Sequence, residues 1–201
     1  MSNARVILVI LLLTGAALTQ DYPTAYIIRP NQQILVPVTP HPVQSKEASA
    51  PLQAALATIF QNPELCCGPN SSLENVPATS ASLSTRELAA KLAGRHTLSD
   101  GRPFTVTTEL IDPATMNATQ LLTPLKQNRV LLMQWNSRWY LLVGADYDEW
   151  IYDGGLREYS IHKLRLLDFS NPAAPKEAIF DRQKDDWTKV QGLLLLNATV
   201  H

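Results

Sequence analysis

The sequence predicts an α+β fold, and three observations carry that prediction. The first half holds segments with apolar residues at helical spacing, bounded by helix start and stop signals. The second half changes to short apolar runs separated by turn residues, the pattern of paired strands. With 201 residues, 45% of them apolar and only 17% charged, the chain can bury one core. The resulting order is N-terminal helices packed against a mostly antiparallel sheet that follows them.

The elements follow in chain order. Arg5 and the apolar run Val6 to Leu13, followed by Thr14-Gly15-Ala16-Ala17, have the plan of a secretory signal over residues 1–20. The run is shorter than the ~20 apolar residues that span a bilayer. A secreted or periplasmic protein with no stable membrane span after cleavage is therefore expected. Residues 21–50 carry Pro23, Pro30, Pro37, Pro40 and Pro42, which suit an extended arm. Its apolar patches, Tyr26-Ile27-Ile28 and Ile34-Leu35-Val36, suggest that the arm lies against the domain formed by residues 51–201.

Ser49 and Pro51 open a helix with Leu52, Ala55, Leu56, Ile59 and Phe60 on one side, ended by Asn62-Pro63. A short helix is expected from Gly68 to about Val76. Ser84-Thr85-Arg86-Glu87 is a capping box before Leu88, Ala89 and Leu92, with Gly94 as the stop. Another helix after Asp112-Pro113 carries Leu121, Leu122 and Leu125, with Pro124 as a kink or boundary. Arg129 to Trp135, the turn Asn136-Ser137, and Arg138 to Val143 ending at Gly144 read as a hairpin. Trp150-Ile151-Tyr152, running into Asp153-Gly154-Gly155, and Val190 to Leu196 complete the expected strands.

Composition excludes some functions. A formal net charge of −1 with no Lys/Arg run gives no footprint for nucleic acid. The two cysteines, Cys66 and Cys67, are adjacent and cannot staple distant segments, although they can pair with each other. No CxxC or HExxH spacing occurs, so neither a metal nor a cofactor is expected. Asp146, Asp148 and Glu149 lack the spacing of a calcium loop and read as a solvated turn. Trp135, Trp139, Tyr140 and Trp150 read as packing residues. Asn70, Asn117 and Asn197 head glycosylation sequons.

One neighbourhood carries chemistry. A thiol at a helix start meets the positive end of the dipole, which favours the thiolate at Cys67. The Gln61 amide, six residues upstream, can donate to a developing oxyanion. Gln-x5-Cys-Gly-Pro, Gln61 to Pro69, resembles the catalytic start of papain-like cysteine peptidases, especially the bacteriocin-leader-processing (double-glycine) branch. Ser82 to Leu88 is similar to that branch's second helix, and Trp139 to Asp148 resembles its central strand. Ile151-Tyr152-Asp153-Gly154-Gly155 occupies the place of its acidic orienting residue. The resemblance spans roughly residues 55–168 and implies a papain-like fold with Cys67 as nucleophile, Gln61 at the oxyanion and Asp153 as orienter.

Arg138 stands where that family places its catalytic histidine. An arginine side chain keeps its proton throughout the physiological range and cannot shuttle it, though it can favour a thiolate. The resemblance thus implies a pseudoenzyme that binds a peptide or protein in the old cleft. An active thiol hydrolase or transferase with a rearranged base, drawn from His41, His96, His162 or His201, is the alternative. A structural envelope or extracellular interaction module is a third. Each site residue also has an ordinary reading: Cys67 as a small buried hydrophobe, Gln61 as a loop hydrogen-bonder, Asp153 as a turn residue.

Overall fold

Long apolar strands set the architecture. In the computed structural model, which describes residues 26–43, 50–63, 65–67, 83–98 and 101–201, eight strands form one sheet. They are β1 (Tyr26–Leu35), β2 (Gly94–Thr97), β3 (Pro103–Ile111), β4 (Leu131–Trp135), β5 (Arg138–Tyr152), β6 (Arg157–Asp168), β7 (Lys176–Asp181) and β8 (Val190–Val200). Their order is β2-β3-β8-β4-β5-β6-β7, with β1 beside β5, and every pairing is antiparallel. Three helices occur among the described residues: α1 (Ala50–Phe60), α2 (Thr85–Leu92) and α3 (Ala118–Lys126). The fold is α+β. The expected signal segment, Ser49 and the expected helix over 68–76 lie outside the described residues. No described helix is long and apolar enough to cross a membrane.

The local rules explain most of these elements. Leu52, Ala55, Leu56, Ile59 and Phe60 form the buried side of α1, as their spacing predicts. At α2, Ser84 Oγ accepts from the Glu87 N–H at 3.2 Å, and the Glu87 carboxylate accepts from the Ser84 N–H at 2.9 Å. Such a cap contributes about 1 kcal/mol. Helix α3 is capped the same way by Asn117 and Gln120, while Asp112 accepts from Ala114 N–H in a separate turn before it. Pro124 lies inside α3, near its end, where one missing N–H interrupts little of the ladder. Asn136 and Ser137, with φ of 50° and 59°, make the left-handed pair that joins β4 to β5 in a twist-compatible hairpin.

Both faces of the sheet are covered. Helices α1 and α2 lie on one face. The Phe60 ring sits 6.2 Å from Phe104, and the Thr85 hydroxyl donates to buried Gln134 at 3.1 Å. Gly192 is needed there, because a Cβ would come 2.5 Å from Thr85 Oγ1. Helix α3 lies on the other face, with Lys126 Nζ 4.2 Å above the Tyr159 ring. On that face the Trp135 and Phe180 rings meet at 4.9 Å, although three strand spacings of ~4.8 Å separate β4 from β7. The sheet therefore curls around this cluster.

Two expectations need correction. Strand β5 does not stop at Gly144, and Asp146 to Glu149 are not a turn; β5 runs 15 residues through both. The reason is β1, which pairs with β5 from Gly144 to Tyr152. A side chain at Gly144 would collide with the Ile34 carbonyl oxygen as β1 crosses it. Each of the three acids has a side-chain partner: Asp146 pairs with Arg165 at 2.9 Å, Asp148 with His162 at 2.9 Å, and Glu149 with Arg157 at 2.8 Å. Second, the arm is extended and docked as expected, but only its second apolar patch packs on the core, where Val36 is buried and Ile34 lies against it. Tyr26, Ile27, Ile28 and Leu35 remain exposed, and there the backbone ladder to β5 makes the attachment.

Asp148 joins three strands. It accepts from the Asn31 N–H of β1 at 2.8 Å and contacts His162 of β6. The Asn31 bond, more than the His162 partner, holds its carboxyl below the ordinary range. A carboxyl lowered on folding stabilises the fold in full above its unfolded pKa, and that contribution fades as pH falls through the lower folded value. Asp148→Asn should thus reduce stability at neutral pH and flatten the acid limb of stability against pH. Urea midpoints from pH 3 to 7, in about half-unit steps, measure this. An unchanged acid limb would remove Asp148 from the account.

Candidate functional site

Gln61 follows the last turn of α1, its N–H donating to Ala57 O at 2.9 Å. It opens onto a cleft of about 670 Å³ on the α1–α2 face, walled by the arm residues Val36 to Thr39 and by Val143, Leu167 and Glu177. His41 of the arm lines the same cleft, with its backbone N–H on Thr58 Oγ1 at 2.9 Å. In the sequence His41 is only one of four histidines that could supply a rearranged base, because nothing there places the arm beside Gln61. Strand β1 carries it there.

Cys66 and Cys67 lie just beyond. Both are half-buried against the core, and the Cys66 N–H donates to Asn62 O at 3.0 Å. They are joined to each other in a disulfide. The described lining of the Gln61 cleft includes neither of them. In this state Cys67 has no thiol to ionise, and the segment expected to supply its helix dipole lies outside the described residues.

Arg138 and Asp153 are not brought together. Arg138 begins β5, while Asp153 lies in the exposed turn after it. The 15-residue strand between them is about 50 Å of extended chain. Asp153 therefore cannot orient a group at position 138. Strand β6 returns antiparallel and sets Asp168 opposite Tyr140, next to Arg138 on the same face. The Arg138 guanidinium reaches the Tyr140 hydroxyl. Burial, and then the Asp168 charge, push the Tyr140 pKa up, with Arg138 opposing them. Asp168 itself accepts the Ser170 N–H at 2.7 Å. Asp168 is thus the acid at the Arg138 end of β5. The signal that finds it is Gly154-Gly155, with φ of 86° and 84°, which marks the hairpin turn more strongly than Asp146 to Glu149 does.

The other imidazoles are committed elsewhere. His96 Nε2 bonds Leu92 O, His162 pairs with Asp148, and His201 Nε2 bonds Thr105 Oγ1, each at 2.9 Å. No cluster of metal-ligating side chains occurs among the described residues.

A larger cleft, about 1060 Å³, opens at the start of α2. Its polar groups are the charged Arg86 and Asp112 and the uncharged Ser84, Thr85, Gln134, Ser137 and Gln191, with Leu83 and Leu110 supplying apolar wall. Gln134, Ser137 and Gln191 are held in place by hydrogen bonds. Gln134 Nε2 donates to Leu83 O at 3.1 Å, Ser137 N–H donates to Gln191 Oε1 at 2.9 Å, and Gln191 Nε2 donates to Ser137 Oγ at 3.0 Å. Nothing in the sequence singles out these residues, because Gln191 reaches Ser137 only through the β4–β8 pairing.

Compared with known proteins, the chain matches no family model, no curated protein and no solved structure.

Proposed function

We propose that this protein is a non-catalytic module that binds a peptide or protein, built on a degenerate papain-like scaffold and working outside the cytoplasm. The observation that carries this reading is the state of the expected catalytic residues: Cys67 is tied to Cys66, and Arg138 and Asp153 stand at opposite ends of β5. Nucleophile, proton shuttle and orienter must lie within hydrogen-bond reach of one another to work as a unit. The larger cleft supports the binding half of the proposal, since fixed amide and hydroxyl groups beside leucine side chains suit an extended peptide.

A peptide array screened on the purified protein tests it. Bound peptides should lose about tenfold in affinity, ~1.4 kcal/mol, when Leu110→Asp places a charge in the larger cleft. Binding indifferent to that change and to Gln191→Ala would refute the cleft assignment. A second reading, an active thiol hydrolase with a rearranged base, is favoured by His41 and Gln61 sharing one cleft. Cys67-dependent turnover that His41→Ala abolishes would establish that reading over the first.

A further inference from the structure

Among the described residues the sheet has three open edges, β1, β2 and β7. Two of them carry the features that keep natural edges from pairing. Strand β2 has four residues, including Arg95 and His96, and β7 carries Lys176, Glu177 and Asp181. Strand β1 has such features only in its second half, at Pro30 and the register break after Arg29, which leaves Tyr26 to Ile28 without them. It has ten residues, and its one charged side chain, Arg29, lies 3.5 Å from Glu149. Tyr26, Ile27, Ile28 and Leu35 are 57%, 63%, 46% and 58% exposed. The inner edge of β1 is paired with β5, and no described strand pairs with its outer edge.

Open backbone groups beside exposed aromatic and β-branched side chains select an extended strand as occupant. We propose that the occupant is β1 of a second copy, paired antiparallel about a two-fold axis at Ile27. In an antiparallel ladder, opposed residues turn their N–H and C=O groups both toward the partner or both away. A symmetric pairing can therefore set Ile27 against Ile27 and Tyr26 against Ile28 of the other copy. All these pairs are apolar, and aromatic against β-branched is a favourable cross-strand combination. The two copies of Arg29 bring little repulsion, because each already faces Glu149. Pro30 has no N–H, and Asn31 at φ 54° breaks the register with β5, so the shared ladder ends there. A short ladder makes a weak, concentration-dependent dimer.

Sedimentation velocity on the full chain across the micromolar range tests this. The expected result is a monomer–dimer equilibrium that Ile27→Lys weakens by about tenfold or more. Ile27→Thr, which keeps strand propensity, should weaken it less, and Ile179→Lys on the β7 edge should leave it unchanged. Circular dichroism of each variant checks that the fold persists. A chain that stays monomeric throughout, or a dimer equally strong in Ile27→Lys, overturns the proposal.

Discussion

Iodoacetamide should leave the untreated protein unlabelled and add one carbamidomethyl group at each of its two cysteines after reduction by a dithiol. Only a thiolate attacks the reagent, and both sulfurs are held in the Cys66–Cys67 disulfide. Half-exposure of the pair gives a reductant access. Cys66→Ser leaves Cys67 alone and should take up one group without reduction. Its rate against pH then reports the environment of the thiol. Sequence reasoning expects Cys67 to react faster than an ordinary thiol, on the strength of a helix end and of Arg138. Arg138 instead neighbours Tyr140 and Asp168, so Arg138→Ala should leave that rate unchanged. Labelling of the untreated wild-type chain would show that the cysteines are not paired, and the non-catalytic reading would lose its main support.

The parts of the fold written in short stretches of sequence were the legible ones. The capping box at Ser84, the apolar side of α1 and the Asn136-Ser137 turn are each decided within a few residues, and all are found where their patterns place them. Strands β2, β3, β6 and β7 escape a reading of apolar runs because many of their residues are polar or charged and find their partners across the sheet. In β3, polar Thr105, Thr107 and Thr108 pair with Thr199, Asn197 and Leu196, and β6 alternates charges such as Arg165 that are neutralised across the sheet by Asp146. The long β5 was misread for the same reason. Acidic residues and a glycine look like a turn until β1 arrives to cover them. The site suffered most. Placing Asp153 beside Arg138 required a turn at Asp146 to Glu149, and moving that turn to Gly154-Gly155 exchanges Asp153 for Asp168.

That exchange shapes the second large effect. Arg138→His supplies the residue type that papain-like peptidases use for proton transfer, a role typically worth ~10²–10⁴-fold in rate. If Asp153 were the orienter, this single change on a reduced protein should restore peptide cleavage. With Asp153 a strand's length away, the expected result is no Cys67-dependent hydrolysis of a fluorogenic peptide library, by wild type or by Arg138→His, before or after reduction. The comparison remains informative if cleavage does occur. Activity lost in Asp168→Asn and kept in Asp153→Asn would identify Asp168 as the orienting acid and make the scaffold one substitution away from an enzyme. Activity lost in Asp153→Asn would require β5 to fold back between Gly144 and Trp150, against its pairing with β1 and β6 along that stretch. Activity that survives Cys67→Ala would come from neither arrangement. The cleavage outcomes identify the acid at work, and the inert outcome leaves Arg138 with the neighbours the fold gives it, Tyr140 and Asp168.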